Sequence, residues 1–327
     1  MGRGSQTVKV FLTGAAGFIG FHTAKALLDQ GHQVVGYDSV NSYYDPFYKE
    51  LRLEVLAKYP RFQFHRNLLE EEEALTQAYE AFAPTHVIHL AAQAGVRYSL
   101  ENPKAYVSSN LVGFQNILEL VRKHRPQNFV YASSSSVYGS NKKRPFSEQD
   151  ETSSPISLYA ATKLSNELVV KSYGHLYQLP NTGLRFFTVY GPYGRPDMAL
   201  FQFADGIRAG KKIPVFNQGQ MNRDFTYIDD IVQGILAATG KPEINQIYNL
   251  ARGKTERLLH MIELLENALG KKSEKEFLPL QPGDVVETFA DISKAQAGLG
   301  YHPTTSIDQG IPHFVNWYRS LPTRTGV

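Results

Sequence analysis

Three glycines in the segment GAAGFIG, residues 14–20, separate a short apolar run from a helical pattern. The run VKVFLTG at 8–14 is typical of a buried strand. FIGFHTAKALLDQG at 18–31 has the apolar spacing of a helix that ends at Gly31. Glycine permits a tight turn and a close approach of the backbone to another group. The segment GAAGFIG therefore predicts a strand–turn–helix unit at the N-terminal end of the chain.

The same alternation continues along the chain. Further apolar runs of strand length occupy 32–38, 85–92, 128–134, 181–191 and 246–251, and helical patterns occupy 70–82, 104–124 and 158–178. Strand and helix repeated in this way predict an α/β fold with a Rossmann-type, doubly wound parallel sheet and right-handed crossovers.

A dinucleotide fits the glycine turn. The N-terminus of the helix offers N–H donors and a positive dipole to a pyrophosphate, which the glycines allow to come close. Asp38 closes the second strand, where a carboxylate accepts from a ribose hydroxyl and repels a 2′-phosphate, so we expect NAD rather than NADP. The alternative is that Asp38 is an ordinary turn residue. For Asn41, a ribose contact and a loop cap are equally compatible with the sequence.

Tyr159 and Lys163 in YAATK are one helical turn apart and follow the serine run at 133–136. On a helix their side chains share one face. An exposed pair on an amphipathic helix is the simple alternative. A phenol beside an ammonium is also a proton-transfer pair, because the positive charge lowers the pKa of the phenol.

Composition excludes several classes of function. The 327-residue chain has a net charge of only +3. Its short basic run RKHR at 122–125 ends a predicted helix, where positive charges interact favourably with the helix dipole. We therefore expect no nucleic-acid partner. The absence of cysteine excludes disulfides, thiolate catalysis and cysteine-ligated zinc, and we expect no metal site. Residues 1–14 lack a signal-peptide core and no run is apolar enough to span a bilayer, so we expect a cytoplasmic protein without a membrane partner.

Seven ordered motifs resemble the extended short-chain dehydrogenase/reductase superfamily. They are FLTGAAGFIG, HLAAQAGVRYS, YASSSSVYG, YAATK, LRFFTVYGP, RDFTYIDDI and PGDVVETFADISKA. The spacing G-x-x-G-x-x-G together with Tyr-x-x-x-Lys is typical of the superfamily, and the likeness covers nearly the whole chain. AAQAGVRYSLENP and FFTVYGPYGRPDMALF are most similar to the UDP-glucuronate 4-epimerase subgroup.

The resemblance assigns roles to the catalytic candidates. Tyr159 matches the proton-transfer base, and Lys163 matches the lysine that binds the nicotinamide ribose. Ser134 matches the hydroxyl that hydrogen-bonds the reacting oxygen, with Ser135 and Ser136 beside it. For Ser133 and Ser135, a backbone-capping role at the end of the strand is the alternative. The cofactor-binding set that we expect comprises Gly14, Gly17, Phe18, Ile19, Gly20, Asp38, Asn41, Leu90, Ala91, Ala92, Asn110, Tyr159 and Lys163.

The C-terminal part is expected to hold the UDP-sugar. Prolines and glycines break the strand–helix rhythm after residue 190, so we expect an NAD-binding domain at 1–190 with a returning strand at 246–251. Residues 191–327 then form mostly the UDP-sugar-binding lobe, interleaved with that domain. By resemblance, Arg223 lies near the diphosphate or its ribose, Val215 in the strand that lines the uracil, and Asp284 at a UDP-ribose hydroxyl. An ion pair with Asp224 is the alternative for Arg223.

The sugar itself is expected to carry a carboxylate. UDP-galactose 4-epimerases commonly have asparagine in place of Thr188 and arginine near the position of Gln281, and both departures argue against a neutral hexose. The hydroxyls of Ser135, Ser136 and Thr188 come from two strand ends at the carboxyl edge of the sheet and suit a carboxylate. Candidate counter-charges are Arg97 and Arg195, for each of which a surface position is the alternative.

The resemblance thus implies NAD-dependent 4-epimerisation of UDP-glucuronate to UDP-galacturonate through a transient 4-keto sugar. A UDP-glucuronate decarboxylase and a UDP-glucose/galactose 4-epimerase are the alternatives. The 4,6-dehydratases carry an acid in the serine motif, where this chain has Ser135 and Ser136. A non-catalytic nucleotide-binding regulator is a further alternative, against which Ser134, Tyr159 and Lys163 argue. Helices 104–124 and 158–178 resemble those of a four-helix dimer interface, so a C2 homodimer is expected.

Overall fold

The computed structural model describes residues 7–281 and 285–322. Its strands are β1 Lys9–Thr13, β2 Gln33–Tyr37, β3 Phe62–His65, β4 His86–His89, β5 Asn128–Ser134, β6 Asn181–Phe186, β7 Thr188–Tyr190, β8 Ile213–Phe216, β9 Asn222–Arg223, β10 Phe225–Tyr227, β11 Gln246–Leu250, β12 Glu256–Arg257 and β13 Lys275–Leu278. Its α-helices are α1 Phe18–Asp29, α2 Phe47–Leu56, α3 Glu72–Phe82, α4 Tyr98–Glu101, α5 Pro103–Val107, α6 Phe114–His124, α7 Leu158–Tyr177, α8 Ala199–Ala209, α9 Ile228–Thr239, α10 Leu258–Leu269, α11 Ser293–Leu299 and α12 Ile307–Ser320.

The principal sheet has seven strands in the order β11–β6–β5–β4–β1–β2–β3, and every neighbouring pair is parallel. The predicted α/β, doubly wound class is therefore confirmed. The strand order reverses between β1 and β4, and ligands of such sheets bind outside the carboxyl ends at this switch point. Strands β1, β4 and β5 are almost entirely buried, which explains their continuous apolar runs.

Helices cover both faces of this sheet. Helices α1 and α9 pack on each other, and α9 also packs on β5. On the other face, α3, α6 and α7 close a second apolar cluster that includes Phe11, Phe114 and Tyr131. Because α9 lies after residue 190, the Rossmann layer takes residues from both halves of the chain. None of the helices in the described ranges is long and apolar enough to cross a bilayer.

The remaining strands form three short pairs, β7–β10, β9–β12 and β8–β13. Helices α8, α10 and α12 pack together beside them. The single strand predicted over 181–191 is interrupted at Phe187, where the chain leaves β6 and continues as β7 to pair with β10. This interruption directs β7 away from the principal sheet and towards the second lobe.

The helix predicted over 104–124 is likewise interrupted. Residues Ser108–Gly113 form a π-helical segment between α5 and α6. Gly113 is required there, because a Cβ at this position would lie 2.6 Å from the Cβ of Leu69. Such π segments are frequent at functional sites, and Ser108 and Ser109 line the cavity of about 480 Å³ that extends from the glycine turn.

Candidate active site

The catalytic candidates meet where β5 ends and α7 begins. Ser134 is the last residue of β5, and α7 begins at Leu158 with the Ser157 side chain accepting from the Ala160 N–H at 3.1 Å. This cap fixes the first turn of α7, in which Tyr159 lies. The helix packs on β5, so its buried face presents side chains to the carboxyl end of that strand.

Tyr159 and Lys163 share this face, as the sequence predicted. The Tyr159 phenol neighbours Ser134, whose hydroxyl donates to the Ser136 hydroxyl at 3.1 Å. The Lys163 ammonium is buried and donates to the Ala132 carbonyl oxygen at 2.8 Å. The alternative of an exposed pair does not apply to Lys163, which is 2% exposed.

The pKa of Tyr159 shifts in the direction opposite to the one expected from the sequence. Burial raises the pKa of Tyr159, although the neighbouring Ser134 hydroxyl and the positive charge of Arg195 both act to lower it. Burial also lowers the pKa of Lys163 to about 8, against the negative charge of Glu167. In the protein without cofactor, desolvation therefore outweighs the expected effect of Lys163 on the phenol.

A cavity of about 480 Å³ extends from the glycine turn to these groups. Its lining includes most of the predicted cofactor-binding residues, namely Gly14, Gly17, Phe18, Ile19, Gly20, Asp38, Asn41, Leu90, Ala91, Ala92, Tyr159 and Lys163. The volume lies within the usual range for a small-molecule site. Elements from the sheet edge between β1 and β4 thus form one continuous wall of this cavity.

The glycine turn leaves its backbone bare towards the cavity. A Cβ at Gly20 would lie 2.0 Å from the Gly14 carbonyl oxygen, and one at Gly14 would lie 2.6 Å from the Ala91 nitrogen. Gly17 is the N-cap of α1 and supplies no side-chain acceptor to the first turn. The N–H groups of the first turn of α1, at Phe18, Ile19 and Gly20, have no partner within the helix and fit the pyrophosphate of a dinucleotide.

Asp38 serves the turn and lines the cavity as well. Its Oδ2 accepts from the Ala16 N–H at 3.1 Å, and its Oδ1 accepts from the Val40 N–H at 2.8 Å. A carboxylate has about four lone-pair sites, so these two bonds leave acceptor capacity for a ribose hydroxyl. The two interpretations of Asp38, a turn residue and a ribose ligand, are compatible.

Asn41 has a loop-capping role and also lines this cavity. Its Oδ1 accepts from the Tyr43 N–H at 3.3 Å and from the Lys49 ammonium at 2.7 Å. Burial lowers the pKa of Lys49 to about 8, against the negative charge of Asp38. Lys49 is a lining residue that the sequence analysis missed, because no motif surrounds it.

Asn110 is the predicted cofactor residue that is not among those lining the cavity. It is buried in the π-helical segment, and its Oδ1 accepts from the Gln93 N–H at 2.7 Å. Its Nδ2 donates to the Gln93 carbonyl oxygen at 3.0 Å and to the Thr162 hydroxyl at 3.1 Å. Asn110 therefore holds the loop after β4 against α7, behind the cavity wall.

A second cavity, of about 640 Å³, lies between the sheet edge and the C-terminal lobe. Six predicted substrate residues line it together with Ser134: Arg97, Ser135, Ser136, Thr188, Arg195 and Arg223. Val215 is fully buried in the core, whereas its neighbours Pro214 and Phe216 line the cavity, as expected from the alternation of side chains along β8. Asp284 lies outside the described residues.

The arginines of this cavity differ in their surroundings. Arg195 pairs with Asp197 through two bonds of 3.0 and 2.5 Å, and the Tyr43 hydroxyl donates to the same carboxylate at 3.0 Å. Arg97 is exposed, and its guanidinium lies 5.1 Å from the centre of the Phe216 ring. The positive charge of Arg195 is therefore largely compensated within the protein.

Arg223 lies at the edge of the lobe, where its guanidinium donates to the Asn222 and Val286 carbonyl oxygens at 2.9 and 3.0 Å. Asp224 is buried and accepts from the backbone N–H groups of Arg252 and Gly253 at 2.8 and 3.0 Å. Burial raises the pKa of Asp224 to about 7, against these hydrogen bonds. The carboxyl of Asp224 thus fastens the loop after β11 to β10.

The two cavities share part of their lining, including Ser134, Tyr159, Phe187, Arg195 and Tyr43. A molecule in one cavity and a molecule in the other therefore both reach the neighbouring hydroxyls of Ser134 and Tyr159. Phe187 and Tyr43 were missed by the sequence analysis. Phe187 stands in the quoted motif FFTVYG, but only the interruption between β6 and β7 shows which way its ring faces.

Comparison with known proteins is consistent with this geometry. A model of the NAD-dependent epimerase/dehydratase family matches residues 10–251. Protein CapI of Staphylococcus aureus is 48% identical over 95% of this chain and 98% of its own length. A probable UDP-glucuronate 4-epimerase of Rhizobium meliloti is 46% identical over 95% of this chain and 97% of its own length.

A solved structure is also similar over almost the whole chain. The UDP-glucuronic acid 4-epimerase of Bacillus cereus, crystallised with UDP-glucuronic acid and NAD, superposes with a TM-score of 0.90 at 36% identity. The superposition covers 95% of this chain and 99% of the Bacillus chain. The sheet, the lobe and the cavities between them thus follow an arrangement that holds both a dinucleotide and a nucleotide sugar in that protein.

Proposed function

The chain belongs to the NAD-dependent epimerase/dehydratase family, and we propose on that basis that it is an NAD-dependent UDP-glucuronate 4-epimerase. The reaction inverts C4 of the sugar and yields UDP-galacturonate. One observation carries the choice of substrate: the hydroxyls of Ser135, Ser136 and Thr188 line the second cavity beside Ser134 and Tyr159. Neutral donors at this place suit a sugar carboxylate.

The first cavity is the proposed NAD site. The bare N–H groups at the start of α1 bind the pyrophosphate, and Asp38 accepts from the adenosine ribose. Lys163 donates to the ribose next to the nicotinamide. When bound, NAD⁺ takes up hydrogen from C4 of the sugar as hydride and later returns it. NAD is favoured over NADP because the carboxylate of Asp38 repels a 2′-phosphate.

Tyr159 is the proposed acid–base group. Its phenolate removes the proton of the 4-hydroxyl as the 4-keto sugar forms, and the resulting phenol returns the proton after the ring has turned over. Ser134 donates a hydrogen bond to the reacting oxygen and so fixes its distance from Tyr159. The wide second cavity, of about 640 Å³, gives the keto sugar room to present its other face.

The nucleotide part of the substrate is assigned to the C-terminal lobe. We assign the diphosphate or its ribose to Arg223, because a guanidinium fork suits phosphate oxygens. The uracil is assigned to the wall formed by Pro214 and Phe216, the neighbours of Val215 that line the cavity. Asp284, expected at the UDP-ribose, stays a prediction.

Retention of the carboxylate is the special requirement of this reaction. The ketone at C4 is β to the carboxylate, so carbon dioxide is lost easily when the breaking bond overlaps the carbonyl group. Thr188, Ser135 and Ser136 hold the carboxylate in an orientation that prevents this overlap. Arg195 contributes less charge than expected, because Asp197 neutralises it.

The alternatives differ in their products. A decarboxylase converts UDP-glucuronate to a UDP-pentose and CO₂, and a UDP-glucose 4-epimerase prefers the neutral sugars. Purified protein is incubated separately with UDP-glucuronate, UDP-glucose and UDP-galactose, and the products are separated and weighed by mass spectrometry. We expect an isomer of unchanged mass from UDP-glucuronate and the highest kcat/KM for this sugar. Highest kcat/KM for UDP-glucose overturns the substrate assignment, and no turnover of any sugar supports a regulator.

We also propose a C2 homodimer. Helices α5 and α7 and the π-helical segment expose large apolar side chains that a partner would cover, namely Val107, Val112, Leu168 and Leu176. Such a face is unusual for a monomer. The cytoplasmic location and the absence of nucleic-acid and membrane partners stay predictions.

A further inference from the structure

Helix α7 carries a third buried polar group on the face that bears Tyr159 and Lys163. Glu167 lies one turn beyond Lys163, and all three side chains meet the end of β5. Tyr159 neighbours Ser134, and Lys163 donates to the Ala132 carbonyl oxygen at 2.8 Å. Glu167 accepts from the Ser133 hydroxyl at 2.5 Å. Two successive residues of β5, Ala132 and Ser133, are thus each hydrogen-bonded to a side chain of α7, and the third, Ser134, neighbours Tyr159.

Glu167 is also half of a buried ion pair. Arg185 on β6 stands opposite Ser133 in the sheet and donates to the two Glu167 oxygens at 2.9 and 2.8 Å. The side chains are 5% and 8% exposed. A buried ion pair is seldom a strong source of stability, because both charges lose their hydration. Its position next to the catalytic pair therefore suggests an electrostatic role.

The groups that face Glu167 and Lys163 are basic or aromatic. His89 comes from β4, Tyr131 from β5 and Arg185 from β6. Burial, with Lys163 acting in the same direction, lowers the pKa of His89 to about 3, so this imidazole is neutral. The negative charge of Glu167 opposes the desolvation of Lys163.

Two further groups surround Arg185. Its guanidinium lies 4.8 Å from the centre of the Tyr138 ring, whose hydroxyl donates to Asn249 at 2.6 Å. The backbone N–H of Asn249 in turn donates to Glu148 at 2.7 Å. Burial raises the pKa of Glu148, and the charge of Arg185 acts to lower it. The cation of Arg185 is thus fixed between Glu167 and Tyr138.

We propose that Glu167 is a positioning residue of the active site, which fixes the end of β5 through Ser133 and keeps the neighbouring Lys163 in its ammonium form. The ammonium in turn holds the place of the nicotinamide ribose and supports the phenolate of Tyr159. The catalytic consequence rests on the proposed function, whereas the effect on Lys163 is a property of the protein alone. The two are therefore tested by separate measurements.

The direct measurement is the titration of Lys163 in the cofactor-free protein. Lysine labelled with ¹⁵N at Nζ gives NMR signals that report protonation, and the Lys163 signal is assigned by its loss in Lys163→Met. In Glu167→Gln, whose amide oxygen still accepts from Ser133, the midpoint for Lys163 should fall by about one pH unit. In the enzyme assay, kcat at neutral pH should fall severalfold, and the KM for the nucleotide sugar should stay the same.

A second buried carboxylate provides a control for the general effect of removing a buried negative charge. Glu266 on α10 is 4% exposed and accepts from Ser273 and Lys275 at 2.6 and 2.5 Å, so it too combines a serine with a cation. It belongs to neither cavity lining. Glu266→Gln should lose stability but leave both the Lys163 midpoint and the kcat profile unchanged.

A second variant guards against misfolding. Glu167→Gln combined with Arg185→Gln removes the unpaired cation and should shift the Lys163 midpoint in the same direction by a smaller amount. If Glu167→Gln does not fold, this double variant decides. An unchanged Lys163 midpoint in the folded variant overturns the proposal, even if the protein epimerises sugars. An equal shift in Glu266→Gln also overturns it.

Discussion

Ser134 and Tyr159 are neighbours at the boundary of the two cavities, and both residues line each cavity. One pair of hydroxyl groups therefore reaches both the dinucleotide and the sugar. Such a pair can move a proton on the sugar oxygen while hydrogen leaves the adjacent carbon.

Asp38 is predicted to be a principal NAD contact. Asp38→Ala removes a charged acceptor from the proposed ribose site and should weaken NAD binding by roughly 1–3 kcal/mol. Asp38→Asn keeps an acceptor for one of the two backbone N–H groups that Asp38 binds, and so should damage the turn less than Asp38→Ala. Calorimetric titration with NAD and NADP measures both affinities. Equal NAD affinity in Asp38→Ala, or a wild-type preference for NADP, contradicts the role assigned to Asp38.

Thr188 is predicted to prevent decarboxylation. Thr188→Val removes a hydroxyl from the carboxylate site but preserves the shape of the side chain, so the carboxylate is less restrained at the 4-keto stage. We expect UDP-pentose and CO₂ to appear from UDP-glucuronate while epimerisation falls, whereas Thr188→Ser should behave like the wild type. Mass spectrometry of the products measures both reactions. Clean epimerisation by Thr188→Val with unchanged affinity shows that the carboxylate is held elsewhere, and Arg97 becomes the next candidate.

The exposed face of α7 is predicted to be buried against a second copy of the chain in a dimer. Leu168 and Leu176 are 60% and 65% exposed, and replacing both with lysine places charge in the proposed interface. The double variant should be monomeric at micromolar concentration by light scattering, and the wild type should be dimeric. Phe277→Lys changes an exposed apolar residue on β13, in the C-terminal lobe, and should leave the dimer intact. A monomeric wild type rejects the dimer.

His89 should make the fold sensitive to acid. Its ring is hydrogen-bonded to Thr13 at 2.8 Å, and burial lowers its pKa from 6.5 to about 3. Because the folded state favours the neutral ring, this stabilisation is complete above pH 6.5 and is lost as the pH falls towards 3. The loss is about 1.4 kcal/mol of unfolding free energy per pH unit in that window.

Urea unfolding at several pH values measures this slope. His89→Asn should be less stable at neutral pH, and its slope below pH 6.5 should be smaller by about 1.4 kcal/mol per unit. His302→Asn, at an exposed position, is the control and should keep the wild-type slope. An unchanged slope in His89→Asn means that other groups cause the acid sensitivity.

The sequence predicted the sheet well because buried parallel strands are short apolar runs. It missed α2 and β3. Charged and aromatic residues lie among the apolar ones in these two segments and obscure the periodicity of a helix or a strand. It also merged β6 with β7, because Phe186, Phe187 and Val189 form one apolar run and only the pairing of β7 with β10 separates them. Tertiary contacts, which local patterns do not record, decide such interruptions.

The positions of the candidate site residues could be predicted from the sequence where a motif determines the local backbone. They could not be predicted where tertiary packing determines which side chains line the cavities. Gly14, Gly20 and Tyr159 lie as expected because the turn and the helix are local structures. For Val215 the strand was correct but the neighbouring Phe216 faces the cavity. Lys49 carries no sequence signal, and its place in the cavity depends on its long-range packing. The sequence analysis predicted Arg195 as a counter-charge for the substrate, but the ion pair with Asp197 neutralises this charge.

The most direct test of the account is ¹H NMR of UDP-glucuronate in D₂O with the purified protein and NAD. The account predicts UDP-galacturonate that retains hydrogen rather than deuterium at C4, because this hydrogen leaves and returns without exchanging with water. Tyr159→Phe should slow the reaction by a factor of about 10² or more while still binding the sugar nucleotide. A UDP-pentose with CO₂ as the main product, deuterium at C4, or a near wild-type rate in Tyr159→Phe would contradict it.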